Sequence, residues 1–395
     1  MSRVLTGIVF FSLMMALTGG LHVWMWIRLV RDTRLPSPWG RLLTVALVVL
    51  GLSMPVSFLL FRALGRRTLA VVAWPAYVWM GLLLFIFLGL VAGEIIRLFA
   101  AVAAGGKVGD PARRLFLSRL LGGGIAAATT GLGAVAAVEG LRQPRLTEIT
   151  VELPRLPPAL DGTTIVQLTD VHVGPTIGRD FIEALVERVN ALRPDVVAIT
   201  GDLVDGSVAR LADAVAPLGR IAARFGTYFV TGNHEYYSGV EEWLAELRRL
   251  GIRVLRNERV SIGPDGDGGA GFDLAGIDDR SARGMAPGHG PDLARAVAGR
   301  DPARALVLLA HQPKSVHEAV RHGVDLQLSG HTHGGQIWPW AFLVRLQQGF
   351  VRGLTRVGKT LLYVSCGTGY WGPPMRLGAP SELTRITLRT PKHTA

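Results

Sequence analysis

Apolar residues fill the first third of this chain in four long blocks and then break into short runs. The blocks lie at about 4–27, 42–61, 69–91 and 120–138. Each is close to the roughly 20 residues that cross a bilayer as a helix. Trp24, Trp26, Trp39, Trp74, Tyr77 and Trp79 stand near block ends, where interfacial aromatic residues gather. The fourth block is rich in Gly, Ala and Thr, and a helix packed on a following domain is its alternative reading. Next comes a polar stretch carrying Pro144, Pro154, Pro157 and Pro158, which reads as a linker over 141–161. Beyond it, short apolar runs at 164–169, 196–200, 228–231, 305–310 and 325–329 predict strands. Helical periodicity at 180–192, 211–225 and 241–250 falls between them. Such alternation predicts an α/β domain over 162–390 with a mostly parallel sheet, preceded by a transmembrane region over 1–140.

Composition fits this division. The 395 residues are 49% hydrophobic, with a mean hydropathy of +0.34 and a formal net charge of +12. A basic chain can meet nucleic acid, anionic lipid or phosphorylated substrates. Here many arginines flank the apolar blocks, and no recognition helix, zinc finger or basic-aromatic alternation is visible, so no nucleic-acid partner is expected. The first loop carries Arg28, Arg31, Arg34 and Arg41; the second Arg62, Arg66 and Arg67; the third Arg97, Lys107, Arg113, Arg114 and Arg119. Placing the first and third loops in the cytoplasm puts most positive charge inside. The expected protein is multi-pass in the cytoplasmic membrane, with its α/β domain extracytoplasmic and the lipid bilayer as its partner. Ala112-Arg113-Arg114-Leu115-Phe116-Leu117-Ser118 also resembles a twin-arginine export signal, although it is internal. Two ordinary inside-flanking arginines are the alternative, and both readings give the same topology. The lone cysteine, Cys366, ends an apolar strand and reads as a buried structural thiol.

Five short polar segments follow the predicted strands: Asp170-Val171-His172, Gly201-Asp202-Leu203-Val204-Asp205, Gly232-Asn233-His234-Glu235, Ala310-His311 and Gly330-His331-Thr332-His333. All supply Asp, Asn or His beside small residues. Carboxylate oxygen and imidazole nitrogen suit Mn, Fe or Zn, and loops at strand C-termini converge on one crevice in such folds. The ordered set resembles the calcineurin-like metallophosphoesterase superfamily over about 164–388. The run from Gly330 to Gln336 resembles its membrane-associated bacterial branch. The resemblance implies two sheets packed face to face with flanking helices and two divalent metal ions (Mn, Fe or Zn). It implies one metal on Asp170, His172, Asp202 and His333, and a second on Asp202, Asn233, His311 and His331, with Asp202 bridging. His234 would contact the phosphate and act as a general acid. The expected activity is hydrolysis of phosphate mono- or diesters by direct attack of a metal-bound hydroxide, with lipid-linked phosphates as one substrate class.

Other polar residues carry lesser expectations. Asp205 reads as a supporting or loop-capping carboxylate, and Glu235 as a residue that orients His234 or its loop. Asp278 and Asp279 read as a turn, and His289, His317 and His322 as surface residues. His22, inside an apolar block, reads as packing or interfacial. Arg376, after a glycine-rich loop, is a candidate for binding a substrate phosphate. A nucleotide phosphodiesterase stays open as an alternative, although no base pocket is identifiable. A membrane sensor or scaffold with a non-catalytic metal site also stays open. A transporter is disfavoured: His22 and Glu94 outline no intramembrane ion pathway. Oligomeric state is silent in the sequence.

Overall fold

The structure, a computed structural model, describes residues 3–60, 66–103, 110–264 and 270–391. The chain divides into two compact units. One holds Met1–Val138 with Gly372–Met375, and the other holds Glu139–Trp371 with Arg376–Ala395.

The first unit is helical. It contains α1 (Arg3–Trp26, continued by a wider turn at Ile27–Arg31), α2 (Trp39–Leu60), α3 (Arg66–Ala103) and the start of α4 (Pro111–Leu141). All four are long and apolar enough to cross a membrane. Met25, Leu47, Trp79, Leu83, Ile86, Leu90 and Ile125 form their common core. His22 accepts a 2.9 Å hydrogen bond from the Trp79 indole, so it joins α1 to α3 as a packed polar residue. Helix α3 runs past the expected end near residue 91 and carries Glu94 and Arg97. Arg28 contacts Glu94 at 2.6 Å, and Arg97 contacts it at 3.1 Å, so the charges are paired and the helix continues through them. Arg119 of α4 donates to the carbonyl of Thr33 at 3.0 Å. Together these contacts bring the first loop, the late part of α3 and the early part of α4 to one end of the unit. Helix α4 opens with Pro at its first position, where the missing N–H costs nothing, so Arg113 and Arg114 lie in a helical turn. Arg62 and Lys107 lie outside the described residues, as do the side chains of Arg66 and Arg67.

The second unit is a two-sheet α/β sandwich. Its strands are β1 (Arg145–Glu152), β2 (Thr164–Leu168), β3 (Val196–Ile199), β4 (Thr227–Phe229), β5 (Arg253–Val254), β6 (Glu258–Ile262), β7 (Phe272–Gly276), β8 (Leu306–Leu309), β9 (Leu326–Ser329), β10 (Gly353–Val357), β11 (Thr360–Val364) and β12 (Glu382–Arg389). One sheet has the order β1-β12-β2-β3-β4-β5, and the other β10-β11-β9-β8-β7-β6. The central strands β2 to β4, and β7, β8, β9 and β11, run parallel. Strands β2, β3, β4, β7, β8 and β9 are buried along their whole length, as parallel strands covered on both faces are. Ile165, Val196, Tyr228, Phe272, Leu274, Val307, Leu328 and Ile386 from both sheets share one core. The opposite face of the first sheet packs against the helices Arg179–Ala191, Val208–Val215 and Val240–Arg249 through Leu185, Leu211, Trp243 and Leu247.

Two expectations are corrected here. The polar stretch 141–161 is no bare linker: β1 lies in it and pairs in parallel with β12, Arg145 opposite Glu382 through Glu152 opposite Arg389. The helix expected over 211–225 spans only Val208–Val215 and gives way to a 3-10 turn at Ala216–Arg220. Pro217 and Gly219 interrupt the α-helical ladder there.

Candidate metal centre

Parallel register aligns the ends of the central strands. Leu168 lies opposite Ile199, Ile199 opposite Phe229, and Leu309 opposite Leu328. The residues just beyond these ends therefore emerge on one edge of the sandwich. They are Asp170, Asp202, Asn233, His311 and His331, joined by His172 and His333.

Local backbone geometry turns these side chains inward. Asp170, His172, Asp202, His331 and His333 all have left-handed backbones, with φ between 50° and 69°. Each such residue costs on the order of 1 kcal/mol or more and persists only where surrounding contacts fix it. Two glycines make room. A Cβ at Gly232 would strike the Asp202 carboxylate, and one at Gly330 would strike Asp170 and Thr169. This is the steric reason for glycine before Asn233 and before His331.

The donor atoms converge in overlapping groups. Asp170, His172 and His333 place one donor each within 4.8 Å of one another, and so do Asp202, His311 and His331. Asp202 lies between the groups: one carboxylate oxygen is 3.1 Å from His311 Nε2 and 4.0 Å from both His172 Nε2 and His234 Nε2. His172 Nε2 faces His333 Nε2 at 3.1 Å, and His331 Nδ1 faces His311 Nε2 at 3.2 Å. His311 uses Nδ1 to donate to the Thr200 carbonyl at 2.8 Å, which fixes the ring and aims Nε2 at Asp202. The buried side-chain oxygen of Asn233 has no hydrogen-bond partner. Imidazole nitrogens facing each other in pairs, beside an unpartnered amide oxygen and a shared carboxylate, are groups that cations would satisfy. The residues present fit two divalent ions.

A supporting layer holds these donors. Asp205 accepts hydrogen bonds from His172 Nδ1 at 3.1 Å and from His234 Nδ1 at 2.6 Å, so one carboxylate orients both rings. Glu235 accepts from the backbone N–H groups of Gly232 at 2.6 Å, Leu203 at 2.8 Å and Asp202 at 3.0 Å. It braces the loop rather than His234. The His234 ring meets Tyr237 and Trp371 edge-on, at centroid distances of 5.3 and 5.7 Å.

The electrostatics of the chain's own groups follow from burial and crowding. Burial opposes ionisation of Asp202, but His311 and His234 outweigh it and hold its carboxyl well below the usual range. Burial pushes the Asp170 carboxyl up. Burial also opposes the charged form of Asp205, yet His172 and His234 bring its carboxyl down. For His234, burial is outweighed by Asp202 and Asp205, and its imidazole is pushed up to about 9. Burial and then the neighbouring His311 push His331 down to about 3. Burial and its neighbour Asp202 push Glu235 up to about 7.

A bacterial relative decides the family. An uncharacterised metallophosphoesterase of Campylobacter jejuni is 36% identical over 391 residues, covering 97% of this chain and 99% of its own. The chain belongs to the calcineurin-like phosphoesterase family. The model of that family matches residues 163–335. A bovine transmembrane protein with a metallophosphoesterase domain is 44% identical over 72% of this chain, and its zebrafish counterpart 43% over 65%. The chain spans 66% and 61% of the length of these two relatives.

Several residues outside the family motifs stand differently from expectation. Arg376 is fully buried, so it cannot meet a substrate phosphate. Its guanidinium donates to the carbonyls of Gly369 at 2.5 Å, Ala379 at 2.8 Å and His333 at 3.3 Å, and burial pushes its pKa down to about 10. It locks the backbone of a donor loop instead. His289 is half-buried, not a free surface residue: its side chain contacts the Tyr236 hydroxyl at 3.1 Å and Glu241 at 2.6 Å. Asp278 is buried and paired with Arg256 through both oxygens at 2.8 and 2.9 Å, and Asp279 bears out the expected turn, capping the 3-10 segment Arg280–Gly284 by accepting from Ser281 N–H and also accepting from Gln312. Cys366 is buried, as expected, and burial raises its thiol to about 11. Tyr237 and Trp371, which flank His234, carried no motif signal; only their closeness to motif residues or glycine turns could have pointed to them.

Proposed function

We propose that this chain is a membrane-anchored phosphoesterase that hydrolyses phosphate esters with two divalent metal ions. The observation that carries this reading is the Asp202 carboxylate, 3.1 Å from His311 of one donor group and 4.0 Å from His172 of the other, with His234 directed at the same oxygen. Asp170, His172 and His333 would hold one ion, Asn233, His311 and His331 the other, and Asp202 both. When bound, such a pair supplies Lewis acidity toward phosphate oxygens and an activated water. The chain's own groups do the rest. His234, held at Nδ1 by Asp205, presents Nε2 to the leaving oxygen and donates the proton that departs with it. Water oxygen becomes bonded to phosphorus as the ester P–O bond breaks. Asn233 contributes no charge, which favours an anionic substrate. The four long apolar helices and the transmembrane relatives support anchoring in a membrane.

Arg28, Arg31 and Arg34 of the first loop and Arg113, Arg114 and Arg119 of α4 support an arrangement with those ends in the cytoplasm and the metal domain outside. Lipid-linked phosphates suit such a location.

The test is hydrolysis of aryl phosphate mono- and diesters by the full chain in detergent micelles, loaded separately with manganese, iron or zinc. Asp202→Asn and His234→Ala serve as controls. Metal-dependent turnover lost in both supports the reading. Bound metal without turnover on any ester favours a sensor or scaffold, and absence of bound metal overturns the centre itself.

A further inference from the structure

Directly after the metal motif ending at His333, the chain exposes apolar surface in an unusual way. The helix Ala341–Gln348 buries a single residue, the polar Gln348. Its large apolar side chains point outward: Phe342 is 67% exposed and Leu346 85%. Trp338 and Trp340, just before it, are 58% and 52% exposed. A surface helix normally turns such residues inward, and contiguous exposed apolar surface marks a contact site. The same stretch is basic: from His331 to Leu362 the sequence contains Arg345, Arg352, Arg356 and Lys359 and no Asp or Glu. A groove of about 460 Å³ beside the helix is lined by Trp338, Phe342 and Phe350 together with Arg345 and Arg352. The segment is tied to the metal centre. The Gln336 amide donates to the Trp371 carbonyl and accepts from its N–H, both at 3.0 Å, and the Trp371 ring lies against His234.

We propose that the segment from Trp338 to Leu346 is a membrane-contacting surface that seats on anionic phospholipid and holds the rim of the metal centre against the bilayer. Paired indoles suit the headgroup level, Phe and Leu suit the acyl boundary below it, and unopposed guanidinium groups suit anionic headgroups. A bilayer is favoured over a protein partner because the surface combines an all-basic charge with unpartnered apolar side chains. The chain also carries four apolar helices that keep this domain beside a membrane. The inference rests on that anchoring and not on hydrolysis.

The test places a single fluorophore on the full chain in nanodiscs holding one copy each. Leu346→Cys carries an environment-sensitive nitrobenzoxadiazole probe, and buried Cys366 leaves the introduced thiol as the reacting one. Glu187→Cys, exposed on the helix Arg179–Ala191, is the control. Discs contain phosphatidylcholine alone or mixed with phosphatidylglycerol, with doxyl-labelled lipid as quencher. The expected result is blue-shifted emission and loss of signal at Leu346→Cys with doxyl lipid, stronger with phosphatidylglycerol, and neither change at Glu187→Cys. Water-like, unquenched emission at Leu346→Cys overturns the proposal. Blue-shifted but unquenched emission also overturns it, because a protein surface would then cover the segment. Equal quenching in the two bilayers overturns the anionic preference. The readout needs no turnover, so it fails or succeeds separately from the phosphoesterase reading.

Discussion

Replacing Glu235 by alanine tests how the donor loops are held. Its carboxylate receives three buried backbone N–H groups, those of Gly232, Leu203 and Asp202, at 2.6 to 3.0 Å. Removing the acceptor leaves all three unmet, at about 1–3 kcal/mol each. A water entering the vacated polar space recovers part of that loss, so a net cost of about 4 kcal/mol is expected. For a domain of this size about 2–4 °C of melting temperature accompanies each kcal/mol, giving a fall of about 8–16 °C. The same loop carries Asp202 and Asn233, so bound metal should fall as well. Glu235→Gln should sit between parent and alanine variant. Its amide oxygen can accept from Gly232 and Asp202, but its NH₂ then faces the Leu203 N–H, a loss of about 2 kcal/mol. Thermal unfolding of the full chain in detergent, followed by circular dichroism, gives the first number, and elemental analysis gives the second. An alanine variant that melts within about 2 °C of the parent and retains its metal would refute the bracing role.

Other perturbations reach the supporting layer and the core. His234→Ala should lower turnover by about 10²–10⁴-fold while leaving metal stoichiometry intact, as read by single-substrate kinetics beside elemental analysis. Asp205→Asn, which disturbs the rings of both His172 and His234, should cost about 10–100-fold in metal affinity or activity, measured by metal titration. Chelation should lower the melting temperature. At a free metal concentration of 100 times Kd, binding contributes about 2.7 kcal/mol, and re-addition should restore it. Cys366, buried with its thiol raised to about 11, holds almost no thiolate at pH 8. Its alkylation by iodoacetamide should therefore become rapid only on unfolding, and a rate like that of a free thiol in the folded protein would contradict its placement.

Strands β2, β3, β4, β8 and β9 were legible because burial on both faces leaves a mostly apolar run that stops at a polar donor. In three of them glycine precedes that donor, at Gly201, Gly232 and Gly330. Strand β7 carried no such donor signal and was not predicted. Strand β1 was hidden because it lies at the sheet edge: Arg145, Thr147, Glu148 and Thr150 leave it a polar sequence among prolines. Its assignment depends on β12, a partner far along the chain. The extension of α3 was hidden for a similar reason, since Glu94 is neutralised there by Arg28, from another helix, together with Arg97 of its own. At the metal centre, residue types could be read but not backbone signs. Nothing in the letters shows that Asp170 or His331 takes a left-handed conformation. Arg376 misled because arginine near a glycine loop commonly meets phosphate. Only its three carbonyl partners reveal that its donors are already spent.

The position of β12 bears on how the protein is made. It sits between β1 and β2, so β1 has no partner strand and β2 pairs only with β3 until Glu382–Arg389 has been made. Thr147 and Glu382, hydrogen-bonded across that pairing, are 235 positions apart. At synthesis rates of about 5–20 residues per second, the nascent sheet waits about 10–50 s with an open edge. The first sheet is therefore completed only once β12 has been made. Any machinery that acts on this domain during synthesis meets an unfinished sheet, and one that accepts only finished domains must wait for β12.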